Sequence, residues 1–99
     1  RLTILDLEGN VLADAAEPVL IGHNILKIRD SEGRLVVQDV INMVQKQGYG
    51  WVSLVDKHAY KMVYAELVET PDGKFIVSAG FWPSSKEKSA QGLMQKAVI

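Results

Sequence analysis

Residues 36–55 read VVQDVINMVQKQGYGWVSLV, and this stretch joins a helix pattern directly to a strand pattern. In its first half, valines recur every four residues at Val36, Val40 and Val44, which is the spacing of one face of an α-helix. Gly48 follows where a helix commonly ends in a left-handed residue. The second half is rich in β-branched and aromatic side chains, which favour a strand. The stretch therefore predicts a helix that covers a sheet and leads into one of its strands.

Two hairpin signals flank this stretch. Residues 2–7 are rich in strand-forming side chains and end at Glu8-Gly9-Asn10, after which a second short strand follows. Residues 60–69 and 75–81 are separated by Thr70-Pro71-Asp72-Gly73, in which the proline and the glycine favour a tight turn. The order ββ, loop, α, βββ predicts an antiparallel sheet with a helical insertion.

The loop between the first hairpin and the helix, residues 14–30, has no regular pattern and is interrupted by proline and glycine. Within it we expect Ile25, Leu26 and Ile28 to form a short helical turn. Their apolar side chains would hold the loop against the core.

Residues 84–99 carry the signature of a second helix. Ser84 and Glu87 are spaced as a capping box, in which each side chain satisfies a backbone N–H group of the first turn. The apolar residues that share one face of this helix are Ala90, Leu93, Met94, Ala97 and Val98. We therefore predict one α+β domain over residues 1–99, PAS-like or profilin-like. Its sheet core lies in residues 2–82, and an amphipathic C-terminal helix follows.

Composition narrows the function. A chain of 99 residues suits a single domain, and a net charge of −1 gives no basic surface for phosphates, so we expect no nucleic-acid partner. The absence of cysteine removes disulfides, thiolate nucleophiles and cysteine-based zinc sites. No apolar run approaches the roughly 18 residues that cross a bilayer. Because the chain begins with Arg1 rather than methionine, we interpret it as part of a longer protein.

Six short motifs occur in a characteristic order along the chain. They are Asp6-Leu7-Glu8-Gly9, Gly22-His23-Asn24, Asp30-Ser31-Glu32-Gly33, Gly48-Tyr49-Gly50-Trp51-Val52-Ser53, Lys61-Met62-Val63-Tyr64 and Gly80-Phe81-Trp82. In this order they resemble the single Cache domain of bacterial signal-transduction receptors, a PAS-like sensor domain. The resemblance covers residues 2–82.

This resemblance implies a periplasmic or extracellular sensor domain of a chemotaxis receptor or histidine kinase. Such a domain binds a small molecule, often a short carboxylate, and needs no cofactor or metal. It would be attached to the membrane only through segments outside this chain, and we expect it to form a homodimer. Two positions depart from the family, which often has His and Tyr where this sequence has Asp14 and Leu54. An anionic Asp14 would repel a carboxylate unless it is protonated or paired.

The candidate ligand-binding residues are Lys61, Trp51, Tyr64, Asp14 and His23. Lys61 shares a strand face with apolar neighbours, where it can receive a carboxylate, but it can equally extend its charge into solvent. Lys61 and Tyr64 are three residues apart and so point to opposite faces of a strand. Trp51 can stack on a ligand or fill the core, and the tyrosine can be structural. His23 can equally cap a turn, and the two histidines lack a recurring metal spacing.

Two functions are compatible with these residues. The first is a ligand-binding sensor in which residues 14–30 close over the ligand. The second is a dimerisation or interaction module whose pocket has degenerated. An enzyme is not expected, because no nucleophile, acid or base residues converge in the sequence.

Overall fold

The predicted strands form one antiparallel sheet in the computed structural model, which describes residues 2–80. The elements are β1 (Leu2–Asp6), β2 (Val11–Asp14), a 3₁₀ helix (Pro18–Leu20), α1 (Val36–Gln47), β3 (Tyr49–Asp56), β4 (Ala59–Thr70) and β5 (Gly73–Gly80). The strand order across the sheet is β2-β1-β5-β4-β3. This arrangement confirms the predicted α+β class, both hairpins and the helical insertion.

The helix α1 forms as its apolar spacing predicts. Its valines and Ile41 are all buried, and they join the inward side chains of the sheet in one hydrophobic core. At its C-terminus, Gly48 adopts the predicted left-handed conformation, with φ of 89°, and its N–H group donates to the carbonyl oxygen of Val44 at 2.8 Å. The chain can therefore reverse without a linker and enter β3 at Tyr49.

The sheet has two different faces. We call the face beneath α1 the inner face; its central residues are Leu5, Leu54, Val63, Ala65 and Ile76, all of them buried. We call the opposite face the outer face; its central residues are Tyr49, Trp51, Met62, Tyr64 and Val77. Successive residues of a strand point to opposite faces, so register assigns each side chain to one face.

The predicted helical turn at Ile25–Ile28 is a single turn and not a helix. Helical geometry occurs instead at Pro18–Leu20, where the proline presets φ for the first turn. Between Ile25 and Ile28 there is one turn, closed by a hydrogen bond of 3.1 Å from the N–H group of Ile28 to the carbonyl oxygen of Ile25. Ile25 is nevertheless buried in the core, as expected.

The described part of β5 ends at Gly80, where the backbones of β5 and β4 approach closely. Gly80 has φ of 130°, and a β-carbon there would lie 2.4 Å from the carbonyl oxygen of Met62 and 2.9 Å from the Cα of Val63.

We expect Gly80→Ala to lower the free energy of unfolding by about 2 kcal/mol, because the backbone strain at this φ and the overlap of the added β-carbon with β4 add together. Gly48→Ala, which meets no neighbour within 4 Å, should cost only about 1 kcal/mol. Urea unfolding of both variants measures the difference, and equal losses would show that the close approach is not restrictive.

Within residues 2–80, no helix is long and apolar enough to cross a membrane. The predicted helix of residues 84–99 and the predicted strand end at Phe81 and Trp82 lie outside the described residues.

Candidate ligand-binding site

Three buried polar side chains form a row across the inner face of the sheet. Thr3 on β1 pairs with Asp14 on β2 and with Ser78 on β5, and all three residues are buried. The hydroxyl of Thr3 donates to Oδ2 of Asp14 at 3.1 Å, and the hydroxyl of Ser78 donates to the carbonyl oxygen of Thr3 at 3.1 Å. Buried polar groups need such partners, so this polar row is an organised feature in an otherwise apolar core.

Lys61 lies on the same inner face, further along β4. It pairs with Leu54 on β3 and shares its face of β4 with Val63 and Ala65. Those three neighbours are buried, whereas Lys61 itself is half-buried. Ala65 is the β4 partner of Ser78, so Lys61 stands four residues beyond the polar row, or about 13 Å at the usual rise of a strand.

An apolar area separates the polar row from Lys61. Val63 and Gly80 pair with each other in this area and contribute no polar side-chain atoms. The inner face thus has acceptors and hydroxyls at one end, an apolar middle and a cation at the other end. An arrangement with a few polar groups around an apolar surface is typical of small-molecule sites.

The loop over this face is fixed at its start by Asp14. Oδ1 of Asp14 accepts hydrogen bonds from the N–H groups of Ala16 at 3.0 Å and Glu17 at 2.8 Å, immediately before the 3₁₀ helix. The carboxylate therefore connects the loop to Thr3 of the sheet while it organises the turn.

The middle of the loop is attached to the β1–β2 hairpin by backbone bonds. The N–H group of Val11 donates to the carbonyl oxygen of His23 at 2.9 Å, and the N–H group of Gly22 donates to the carbonyl oxygen of Val11 at 2.8 Å. Nδ2 of Asn24 donates to the carbonyl oxygen of Glu8 at 2.9 Å and to Oδ1 of Asn10 at 2.8 Å. The N–H group of Ala15 also donates to the carbonyl oxygen of Leu2 at 3.0 Å, so residues 18–21 are the stretch between the attachments at Glu17 and Gly22.

Asp30 holds the end of the loop. Its buried carboxylate accepts from the N–H groups of Glu32 and Arg34, each at 2.9 Å, and from the N–H group of Val55 on β3 at 3.0 Å. Nε of Arg34 lies 3.5 Å from Oδ2. Arg34 also donates to the carbonyl oxygen of Ser53, and the N–H group of Ser31 donates to the carbonyl oxygen of Val55 at 2.9 Å, so the segment before α1 is bound to β3 at three points.

Stability should fall in acid partly because of Asp30. Burial by itself raises the pKa of this carboxyl, but the hydrogen bonds from Arg34, Val55 and Glu32 and the positive charge of Arg34 outweigh burial and lower the pKa. A lowered pKa in the folded state gives stability that is present above the ordinary aspartate range and is lost as the pH falls below about 4.

The test is urea unfolding between pH 7 and pH 3. Asp30→Asn should flatten part of the acid decline. The decline should not vanish, because the pKa of Asp6 is also lowered: burial raises it, and hydrogen bonds from Asn10, Glu8 and Gly9 outweigh that effect. An unchanged pH slope in Asp30→Asn would contradict this account.

The structure divides the five predicted ligand-binding residues among three places. Lys61 and Asp14 lie on the inner face. Trp51 and Tyr64 lie on the outer face, where their ring centroids are 5.1 Å apart, with an angle of 58° between the ring planes. His23 lies in the loop with an exposed side chain. A pocket on one face therefore cannot contain all five, and the binding role of each residue stays a prediction.

Sequence reasoning missed two residues of the polar row, Thr3 and Ser78. The signal for both is the two-residue period of a strand. Thr3 lies two residues from the buried Leu5, and Ser78 lies two residues from the buried Ile76, so each points to the inner face. Small hydroxyl residues at inward positions are a weak sign of a polar pocket.

These features define a class of protein: a PAS-like α+β domain with a loop and a helix over one face of a five-stranded antiparallel sheet. More particularly, the chain belongs to the Cache domain family, whose dCache_2 model matches residues 2–98. The match confirms the Cache family predicted from the motifs, without distinguishing the single-domain type. It also confirms the predicted extracytoplasmic, sensory class of domain.

Solved structures of sensor domains resemble this chain. A periplasmic sensor domain of a chemotaxis protein matches with a TM-score of 0.68 and 22% identity, over 84% of this chain and 60% of that chain; at this identity the likeness concerns the fold. A Cache chemosensory domain described for carboxylic acid recognition matches with a TM-score of 0.68 and 26% identity, over 84% and 59% of the two chains. A methyl-accepting chemotaxis protein from Vibrio parahaemolyticus matches with a TM-score of 0.64 and 26% identity, over 82% and 57%.

This chain thus spans about three fifths of the length of these solved chains. A search of the curated proteins found no match.

Proposed function

We propose that this domain is the sensory part of a membrane-attached chemotaxis receptor or histidine kinase and that it binds a short organic acid. The ligand would occupy the inner face of the sheet beneath residues 14–30. Membership of the Cache family supports the sensory role. The structural likeness to a domain described for carboxylic acid recognition supports the ligand class.

The observation that carries this proposal is the position of Lys61. Lys61 lies on the inner face of the sheet, beside the buried residues Leu54 and Val63. A charge-assisted hydrogen bond from an ammonium to a carboxylate contributes about 1.5–3 kcal/mol, more than a neutral bond. In this position Lys61 can neutralise the acid while the ligand's carbon chain packs beside Gly80, the partly exposed member of the apolar area.

Asp14 need not oppose an anionic ligand. Its oxygens accept hydrogen bonds from the hydroxyl of Thr3 and from the N–H groups of Ala16 and Glu17. It also lies at the opposite end of the apolar area from Lys61. We therefore propose that Asp14 acts in recognition through the loop that it fixes.

Signalling would use the loop as a cover. Residues 18–21 lie between the bond of Asp14 to Glu17 and the bond of Gly22 to Val11, so this stretch can move while its ends stay attached. A ligand shifts such an equilibrium only by its difference in affinity for the open and closed states, so it must contact the cover as well as the sheet.

A thermal-shift screen tests the proposal. Acetate, propionate, pyruvate and succinate are compared with methylamine and ethylamine at equal ionic strength. An acid present at 100 times its Kd should stabilise the fold by about 2.7 kcal/mol, which corresponds to roughly 10 °C or more in a domain of this size. Stabilisation by amines alone, or by none of these compounds, would overturn it.

A second function, a dimerisation module with a degenerate pocket, is favoured by one observation. Leu54 is fully buried on the inner face, at the position where the family resemblance predicts a tyrosine. In that case the midpoint of thermal unfolding would rise with protein concentration, as for a homodimer, and no small molecule would change it.

A further inference from the structure

The outer face of the sheet is strongly apolar and aromatic, yet it is exposed. Trp51 is 62% exposed, Tyr49 57%, Leu2 50% and Met62 47%. Soluble proteins seldom leave a contiguous apolar patch of this kind uncovered unless another element or partner binds it.

The exposed residues are continuous across the sheet. Register places Trp51 beside Tyr64, Tyr64 beside Ala79, and Ala79 beside Leu2, so one row crosses β3, β4, β5 and β1. At the usual spacing of about 4.8 Å between strands, this row is about 14 Å wide. Among residues 2–80, the helix α1 packs on the inner face, so the outer face receives no helix.

We propose that residues 84–99 bind the outer face as an amphipathic helix and lay Leu93 and Met94 on the aromatic row. The proposal rests on the sequence pattern of this segment, on the exposed surface, and on the place where the chain leaves the sheet. It does not depend on ligand binding.

The chain leaves the sheet beside the row that needs a cover. Gly80 directly follows Ala79, and only residues 81–83 separate it from Ser84. The four steps from Gly80 to Ser84 span at most about 14 Å, so a helix that starts at Ser84 begins close to this face. Its 16 residues would be about 24 Å long, enough to cross the roughly 19 Å between the axes of the two edge strands.

The apolar side of the segment suits the surface. Leu93 and Met94 share one side of a helix, and Gln95 lies on the opposite side. A charged side chain of the outer face, Glu66, is acidic, whereas the segment contains three lysines and one glutamate. The two surfaces are therefore complementary in both hydrophobicity and charge.

Thiol reactivity tests the proposal on the full chain, which contains no native cysteine. Three single-cysteine variants are made: Met62→Cys on the outer face, Asp72→Cys in the exposed β4–β5 turn, and Ser78→Cys on the buried inner face. Each is combined with Leu93→Asp or with the matched control Gln95→Asp, and the rate of modification by a maleimide is measured.

We expect the thiol of Met62→Cys to react at least 10-fold more slowly than that of Asp72→Cys. Leu93→Asp should remove this protection, Gln95→Asp should preserve it, and Ser78→Cys should stay unreactive throughout because the sheet remains folded. If Leu93→Asp unfolds the sheet and exposes Ser78→Cys, then Leu93→Ala must give the expected pattern instead.

Two results would overturn the proposal. In the first, Met62→Cys reacts as fast as Asp72→Cys in every background, which would mean that the outer face is open. In the second, protection of Met62→Cys disappears on dilution of the protein, which would mean that a second copy covers the face.

Discussion

Replacing Asp30 with alanine is expected to lower the free energy of unfolding by about 3 kcal/mol, the largest loss that we predict for a single side chain in this domain. The substitution removes the acceptor of three backbone N–H groups at once. The N–H group of Val55 is the most costly of these, because its bond to Asp30 is buried and water cannot easily replace it. A domain of this size has about 5–15 kcal/mol of total stability, so the loss is a substantial part of it.

Asp39→Ala is the matched control for this prediction. Asp39 is also acidic and lies in the first turn of α1, but its side chain is exposed. Its replacement should change stability by less than about 0.5 kcal/mol. Similar effects of the two substitutions in urea unfolding would show that the bonds of Asp30 do not hold the loop to β3.

Replacing Lys61 with glutamine is expected to weaken the binding of an organic acid by roughly 10- to 100-fold. This range corresponds to the loss of one charge-assisted bond of about 1.5–3 kcal/mol. The half-buried position of Lys61 on the inner face allows glutamine to fill similar space, so the midpoint of unfolding without ligand should change little. Calorimetric titration with the acid that stabilises the native chain most gives the two affinities.

Lys46→Gln provides the control for this second prediction. Lys46 lies in the last turn of α1 and is exposed. Replacing it with glutamine removes the same charge from the protein as Lys61→Gln does. If both variants lost affinity equally, the effect would come from net charge, and the assignment of Lys61 to the ligand site would be wrong.

Local sequence patterns predicted most of the fold. The valine spacing of α1, the left-handed Gly48 and the turn at residues 70–73 are each specified by residues close together in the sequence. The hairpin at Gly9 is specified in the same way. Local patterns were enough to predict these helices and turns, because their hydrogen bonds join residues that are close together in the sequence.

The site was less predictable, because it depends on contacts between distant residues. Asp30 belonged to a recognised motif, but its bond to Val55 joins residues 25 positions apart. The charge of Asp14 suggests a direct effect on a ligand, whereas its observed contacts organise the turn before Pro18. The separation of Lys61 from Trp51 follows from strand register, which a single sequence specifies only weakly.

The central claim, that the inner face binds an organic acid at Lys61, is tested most directly by nuclear magnetic resonance of the isotope-labelled chain during titration with propionate. We predict amide shift changes at Lys61, Val63 and Gly80 and in residues 18–21, with the outer-face amides of Tyr49 and Trp51 nearly unchanged. Shift changes confined to the outer face, or no saturable changes at all, would contradict it.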